Sequence, residues 1–334
     1  MESLNSSLFS RVRFYRKLSE ELQLHLKKYP DDWPKFQEIF NLTLDKISLD
    51  IIHFEKSNLT KSEQKVYKFK KIFEERYRPY FLYGEYPRWC YEKPFGYSGD
   101  FKLIDGIYTN QPTTIGFDGL WDRYFQQMAA SQAVRERKEI LKKIIADFVK
   151  NRRNHSIRIM DLGSGSAREI KELLEVDTER LFQSTIFDCF DFDVRAIDYA
   201  KKLLNNSNNV NFFQYNLIRM ALKKDIGKDM ACDYDLIYSA GLFDYFDERV
   251  AIKLVGNLKK ILKKDGIMVI ANFGDKYNNS SVGLMEWATN WYLVYRTEEE
   301  LRKIFIDAGF SSKNLKLMPQ GDNRIIFYCI AKTA

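Results

Sequence analysis

The stretch Ile157-Arg-Ile-Met-Asp-Leu-Gly-Ser-Gly-Ser-Ala-Arg-Glu169 decides how this chain is read. An apolar run, Ile157-x-Ile159-Met160, ends in the acid Asp161. Gly163 and Gly165 follow, and Arg168 to Leu174 is helix-like. A strand that turns through glycines into a helix lets backbone N–H groups approach a ligand closely. A dinucleotide site looks similar, but its third glycine is replaced here by Ala167, and its fingerprint places no acid at the end of the first strand. A strand–turn–helix corner of another α/β fold would also read this way, so the flanking chain has to decide.

Downstream, apolar runs alternate with helical spacing. The pattern predicts strands at 157–161, 184–191, 210–214, 234–239, 266–273 and 324–331, with helices at 166–175, 194–205, 247–264 and 297–309. Such alternation implies a mostly parallel sheet covered on both faces, with ligands at the carboxyl ends of the strands. Upstream, residues 1–80 and 117–150 read as helical with mixed faces, separated by the polar basic turn Asn151–His155 from the first strand. Between them, 83–110 is dense in Tyr, Gly and Pro and reads as a loop leading into a short helix at 100–108, with Ser98 or Asp100 as cap. It suits a small-molecule pocket or a packed connection equally well.

The 334 residues exceed one average domain, so one large domain plus an extension is expected. The net charge of +7 is mild, and Lys and Arg are spread along helices such as 135–153 and 253–264. They read as solvated faces rather than a nucleic-acid stripe. Cys90, Cys189, Cys232 and Cys329 form no C-x-x-C, and the three His are scattered, so no metal site of zinc spacing is expected. Unpaired thiols fit a reducing, cytoplasmic setting. Residues 1–20 lack the apolar core of a signal peptide, and no apolar run approaches membrane-spanning length.

The acid-x-Gly-x-Gly pattern of Asp161, Gly163 and Gly165 resembles the first motif of the class I S-adenosylmethionine (SAM) methyltransferases. Three later signals resemble the same family at its usual spacing. The second strand ends Phe187-Asp-Cys-Phe-Asp-Phe-Asp193, and Ala200 lies nine residues after Asp191, matching the family's ribose-binding acid; Asp193 is the competitor, or a helix cap. The third strand leads to Asn216-Leu217, where the family usually has an Asp that accepts from the adenine amino group, a role Asn can take through its carbonyl oxygen. The run Arg296-Thr297…Ala308-Gly309-Phe310 resembles the segment before the family's last two strands, with Thr297 and Glu300 forming a capping box.

The resemblance implies a Rossmann-like α/β fold with a mostly parallel seven-stranded sheet over 116–334, behind a helical extension and substrate lid over 1–115. It implies SAM as cofactor, held by Asp161, Gly163, Ser164, Gly165, Asp191, Phe192 on the adenine, Asn216, Leu217, Ser239, Ala240 and Gly241. Asp244 and Tyr245 would face the transferred methyl, though Asp244 could instead cap helix 247–264. Tyr97, Asp100, Tyr108, Tyr245, Trp291, Tyr292 and Arg296 would meet the acceptor, with Tyr97 also acting in catalysis.

Lys93-Pro-Phe-Gly-Tyr-Ser-Gly-Asp100 further resembles a narrower bacterial group that includes makers of 3-hydroxy fatty acid methyl esters. The leading expectation is methyl transfer to oxygen or nitrogen of a small molecule, a carboxylate included. A protein or peptide acceptor, a non-catalytic SAM-binding interaction protein and a homodimer all stay open at this point. A nucleic-acid acceptor is not expected, because neither Asn-Pro-Pro-Tyr nor Pro-Cys follows the fourth strand.

Overall fold

A computed structural model describes residues 2–152, 155–178, 180–224, 226–227 and 233–333, with residues 2–6 described by their backbone alone. Cys232 lies outside the described residues. The chain forms two compact units: residues 1–132 with 277–292, and residues 133–276 with 293–334. In chain order the first helices are α1 (Glu2–Lys28), α2 (Gln37–Asn58), α3 (Glu63–Arg76), α4 (Glu85–Glu92), α5 (Phe101–Thr109), α6 (Gly116–Gln127) and α7 (Ala129–Lys150). Then come α8 (Arg168–Glu175), α9 (Val194–Leu203), α10 (Leu217–Leu222), α11 (Glu248–Lys260), α12 (Val282–Trp287) and α13 (Glu298–Asp307). The helix expected over 117–150 breaks at Met128, whose ψ of 142° is extended.

The first unit is held by aromatic packing. Phe40, Leu44, Ile47, Ile51 and Phe54 recur at helical spacing on α2 and are buried. Phe40 meets Trp121 edge-on at 5.4 Å, and Tyr15 lies 4.7 Å from Phe81. Residues 277–292, which the sequence placed between strands of the sheet domain, belong here instead. Their helix α12 lies so close to α2 that a Cβ on Gly283 would stand 2.3 Å from the Ser48 carbonyl oxygen. Beside it, Trp287 donates its indole N–H to Glu55 at 2.7 Å and packs edge-on to Phe54 and Phe73.

The second unit carries the sheet. Its strands are β1 (Ile157–Leu162), β2 (Thr185–Asp191), β3 (Val210–Gln214), β4 (Tyr234–Ser239), β5 (Leu262–Phe273), β6 (Leu315–Pro319) and β7 (Ile326–Lys332). They lie in the order β3-β2-β1-β4-β5-β7-β6, parallel except for β7, which is antiparallel to both neighbours. The seven-stranded Rossmann-like sheet implied by the resemblance is therefore present. Strand β6 escaped the periodicity reading. The order reverses between β1 and β4, which places the switch-point crevice at the carboxyl ends of these two strands.

Central strands are buried on both faces, so Leu162, Ile237, Met268 and Ile270 read as continuous apolar runs. Leu254, Val255 and Leu258 of α11 pack into the same cluster. Truncating Leu254, which is fully buried, should destabilise the second unit by about 2–5 kcal/mol. A calorimetric melt of Leu254→Ala checks this; an unshifted transition would mean that α11 does not anchor the sheet.

Candidate active site

The crevice is built first from the loop after β1. Gly163 and Gly165 have φ of 69° and 54°, the left-handed region where a side chain is costly. A Cβ on Gly163 would also press to 3.3 Å from Leu242. The loop curls over the end of β2. Gly163 and Ser164 N–H groups donate to the Phe190 carbonyl at 2.8 and 3.2 Å. Gly165 N–H donates to Asp191 Oδ2 at 2.9 Å.

Asp191 Oδ1 accepts from Asp193 N–H at 2.9 Å, and a carboxylate with about four acceptor positions keeps further capacity. Asp193 instead caps α9, accepting from Arg195 N–H at 2.9 Å, and pairs with the Arg195 guanidinium. Local geometry thus brings Asp191, and not its competitor, against the glycine loop. Burial pushes the Asp191 carboxyl up. Phe192 beside it is 51% exposed, as a ring available for stacking must be. Asn216 caps α10: its Oδ1 already accepts from Ile218 and Arg219 N–H groups at 3.0 and 3.1 Å. What it has left for a base edge is its NH2 donor, the opposite of the acceptor role expected from the sequence.

Two side-chain atoms in the loop region, Asp161 Oδ2 and Ser164 Oγ, are buried without a hydrogen-bond partner. Buried polar atoms left this way are expensive, and a ligand is one way of satisfying them. Asp161 also has a neighbour the sequence did not reveal, Glu169 on α8, which accepts from the Tyr238 hydroxyl at 3.1 Å. Burial, then the Glu169 charge, pushes Asp161 well above the usual carboxylate range, and burial raises Glu169. Each of these buried acids thus makes ionisation of the other harder.

The second wall follows β4. Ser239 Oγ donates to the Leu162 carbonyl at 2.8 Å, tying the ends of β4 and β1 together. Asp244 is buried and accepts from Phe273 N–H at 2.7 Å, while its carbonyl accepts from Val294 N–H at 2.7 Å. The cap of α11 is Asp247, which accepts from Val250 N–H at 2.8 Å, so Asp244 is not spent there. Burial pushes Asp244 up to about 6, against the pull of Arg137, whose Nη1 lies 3.9 Å from Oδ2. Tyr245 is exposed on the same turn. Arg296, expected to meet the acceptor, is buried, and its guanidinium donates to the Phe243 carbonyl at 2.7 Å, to Asn272 Oδ1 at 2.5 Å and to the Phe246 carbonyl. It pins the turn that carries Asp244 and Tyr245.

The remaining acceptor candidates lie in the first unit. Tyr97 and Tyr108 are half-buried. Asp100 is the cap of α5, accepting from Lys102 and Leu103 N–H groups at 3.0 Å and from the Trp89 indole at 2.6 Å. Trp291 is buried, and Tyr292 is exposed beneath the Lys70 ammonium, 4.3 Å from its ring centre. Lys93 Nζ donates to the Asn290 carbonyl at 3.0 Å, which brings the 93–100 segment to the Trp291–Tyr292 segment. Sequence distance had hidden that neighbourhood.

Arg137 and Lys138 correct the reading of helix 135–153 as solvated, because both are buried. The missed signal was a guanidinium on the row of Val134, Leu141, Ile145 and Phe148, the core-facing positions of α7.

Residues 153–309 match the model of a methyltransferase domain family. Over this span the chain resembles the class I SAM-dependent methyltransferases. A malonyl-[acyl-carrier protein] O-methyltransferase from Halalkalibacterium halodurans is 26% identical over 116 residues, covering 35% of this chain and 39% of that one. The structure of a possible exported protein from Bordetella parapertussis superposes with a TM-score of 0.53 at 15% identity, covering 70% of this chain and 79% of that one. An O-methyltransferase family protein from Burkholderia thailandensis gives a TM-score of 0.44 at 15% identity, covering 61% and 59%.

SAM is the cofactor that the resemblance implies, and the residues present fit it. The glycine loop leaves backbone free to approach, the orphaned Asp161 and Ser164 atoms await partners, and Asp191 keeps acceptor capacity.

Asp244 gives a pH signature. Its folded value of about 6 lies above the ordinary 3.8, so its stabilisation is present below pH 3.8 and is lost as pH rises through about 6. Asp244→Asn cannot ionise. Its melting temperature should gain on wild type between pH 4 and 7, and a difference independent of pH would contradict the assignment.

Proposed function

We propose that this protein moves the methyl group of SAM to an oxygen or nitrogen of a small-molecule acceptor, with carboxylic acids the first class to test. The observation that carries the reading is the switch-point crevice, where the glycine loop, Asp191 and the buried acids Asp161, Glu169 and Asp244 converge within one methyltransferase domain. The curated relative supports an oxygen acceptor, since its name specifies O-methylation of a malonyl group, which offers a carboxylate oxygen. The Lys93–Asp100 segment supports the narrower likeness to fatty acid methyl ester makers.

SAM supplies an electrophilic methyl on a sulfonium, which leaves as a neutral thioether. The chain therefore has to bind, orient and exclude water more than to activate. Asp191 receives the ribose hydroxyls, and the glycine loop admits the backbone close to the ligand. Asp161 and Glu169 present buried negative charge suited to a cationic head group. Arg296 fixes the turn so that Asp244 and Tyr245 are pre-positioned. A carboxylate acceptor needs no base; an amine or phenol would give its proton to a carboxylate such as Asp244 once ionised.

Residues 83–110, joined to Trp291 and Tyr292 by the Lys93–Asn290 bond, stay the candidates for meeting the acceptor. The second unit would then carry the methyl-transfer chemistry. A cytoplasmic setting belongs to the same reading, supported by Cys90, Cys189 and Cys329, which are buried free thiols. Among the described residues no helix is long and apolar enough to cross a membrane.

Incubation with methyl-labelled SAM and panels of carboxylic acids, amines and phenols should label the acids. Labelling of added protein or peptide alone would replace the small-molecule reading. With the acceptor in hand, Tyr97→Ala should lower kcat/KM for it about tenfold or more while SAM affinity holds; equal loss of both would move Tyr97 to the cofactor.

A further inference from the structure

A polar cavity of about 210 Å³ opens at the edge of the sheet where β1 and β2 begin, opposite the crevice at their carboxyl ends. Its walls lie within the second unit. They come from the end of α7, from His155 and Ile157 leading into β1, and from the turn leading into β2. Asp177 builds that turn, accepting from Leu181 and Phe182 N–H groups at 2.6 and 2.9 Å. The Phe182 carbonyl accepts from Thr185 N–H at 3.0 Å, and Ile157 N–H donates to the Ser184 carbonyl at 3.1 Å, which joins the turn to the start of β1. The turn holds Arg180 at a φ of 55°, the left-handed region that is costly for a residue with a Cβ. Backbone held this way persists only where its surroundings impose it, and such positions gather at ligand clamps.

Thr185 lines the cavity and is 1% exposed, yet among the described residues its hydroxyl makes no hydrogen bond. A polar group withdrawn from water in this way is destabilising until something in the cavity bonds it. Arg180 and His155 line the same cavity, and among the described residues their side chains form no hydrogen bond or ion pair. Gln183 and Ser184 add an amide and a second hydroxyl, and among the described residues no acidic side chain lines the walls. Donors gathered around a guanidinium, with no carboxylate among them, suit an oxyanion, which the planar fork meets in two parallel bonds. The volume falls below the roughly 300–1,000 Å³ of sites for drug-sized ligands, so the occupant is small. We propose that this cavity binds a small oxyanion, phosphate or carboxylate, with Arg180 as its charge partner and the Thr185 hydroxyl as its buried donor. The full length of β1 and β2 separates this site from the crevice: Ile157 pairs with Thr185 at one end, and Leu162 with Phe190 at the other. The assignment therefore does not rest on the SAM reading.

The test titrates inorganic phosphate and, separately, malonate into the full chain by calorimetry, at constant ionic strength balanced with chloride. Wild type should bind at least one of them one-to-one, and the tighter of the two names the class of ligand. Arg180→Asn removes the charge and leaves a residue that tolerates the left-handed backbone; it should weaken binding about tenfold or more. Thr185→Val keeps the β-branched shape and removes the hydroxyl; it should weaken binding about fivefold or more. A melt of each variant in chloride alone checks that it is folded, and if one is not, the other still decides. Wild type that binds neither anion overturns the assignment, as does unchanged affinity in either folded variant. Loss in Arg180→Asn with none in Thr185→Val would mark an ion pair at the surface and not a cavity site.

Discussion

The bond from Gly165 N–H to the Asp191 carboxylate, 2.9 Å long, is the constraint on which the candidate site depends. It joins the loop after β1 to the end of β2. The neighbouring amides of Gly163 and Ser164 fix the same junction through the Phe190 carbonyl. The loop can take this path only because residues 163 and 165 reach positive φ without a Cβ. The parallel pairing of β1 with β2 and β4 then brings both strand ends to one crevice. Ser239 closes the other side by its bond to Leu162.

Charge organises what surrounds that crevice. Acids are concentrated around the crevice, and burial raises Asp161, Glu169, Asp191 and Asp244 alike. Raised values mean that these carboxylates are under-solvated before any ligand arrives, so a cation gains more from them than it would in water. The two buried guanidiniums divide their tasks. Arg296 spends its donors on carbonyls and an amide to hold a turn. Arg137 lies against Gly241 in the loop after β4 and 3.9 Å from the Asp244 carboxylate.

Much of this was legible because it is local. The strand–glycine–helix sequence at 157–169 and the Thr297–Glu300 capping box each depend on a few neighbouring residues, and each has the expected form. Strand β6 was not legible, since Leu315-Lys-Leu-Met-Pro319 is a short edge strand, half-exposed and closed by proline. Arg137 was hidden because one buried charge among many solvated ones differs only in its place on the helix wheel. Neither the membership of 277–292 in the first unit nor the meeting of Lys93 with Asn290 leaves a local trace. Asn216 shows the limit of motif transfer, because the residue type allowed an acceptor role and the cap consumed it.

The central claim, that this crevice holds SAM, is tested most directly by calorimetric titration of the whole protein with S-adenosylhomocysteine, the product of methyl transfer, beside Asp191→Ala. The account predicts one-to-one binding in the micromolar range, weakened about tenfold or more when the ribose acid is removed, which corresponds to about 1.4 kcal/mol. Heat-silent wild type with no competition by SAM would contradict the cofactor site. Unchanged affinity in Asp191→Ala would contradict its assignment to the ribose.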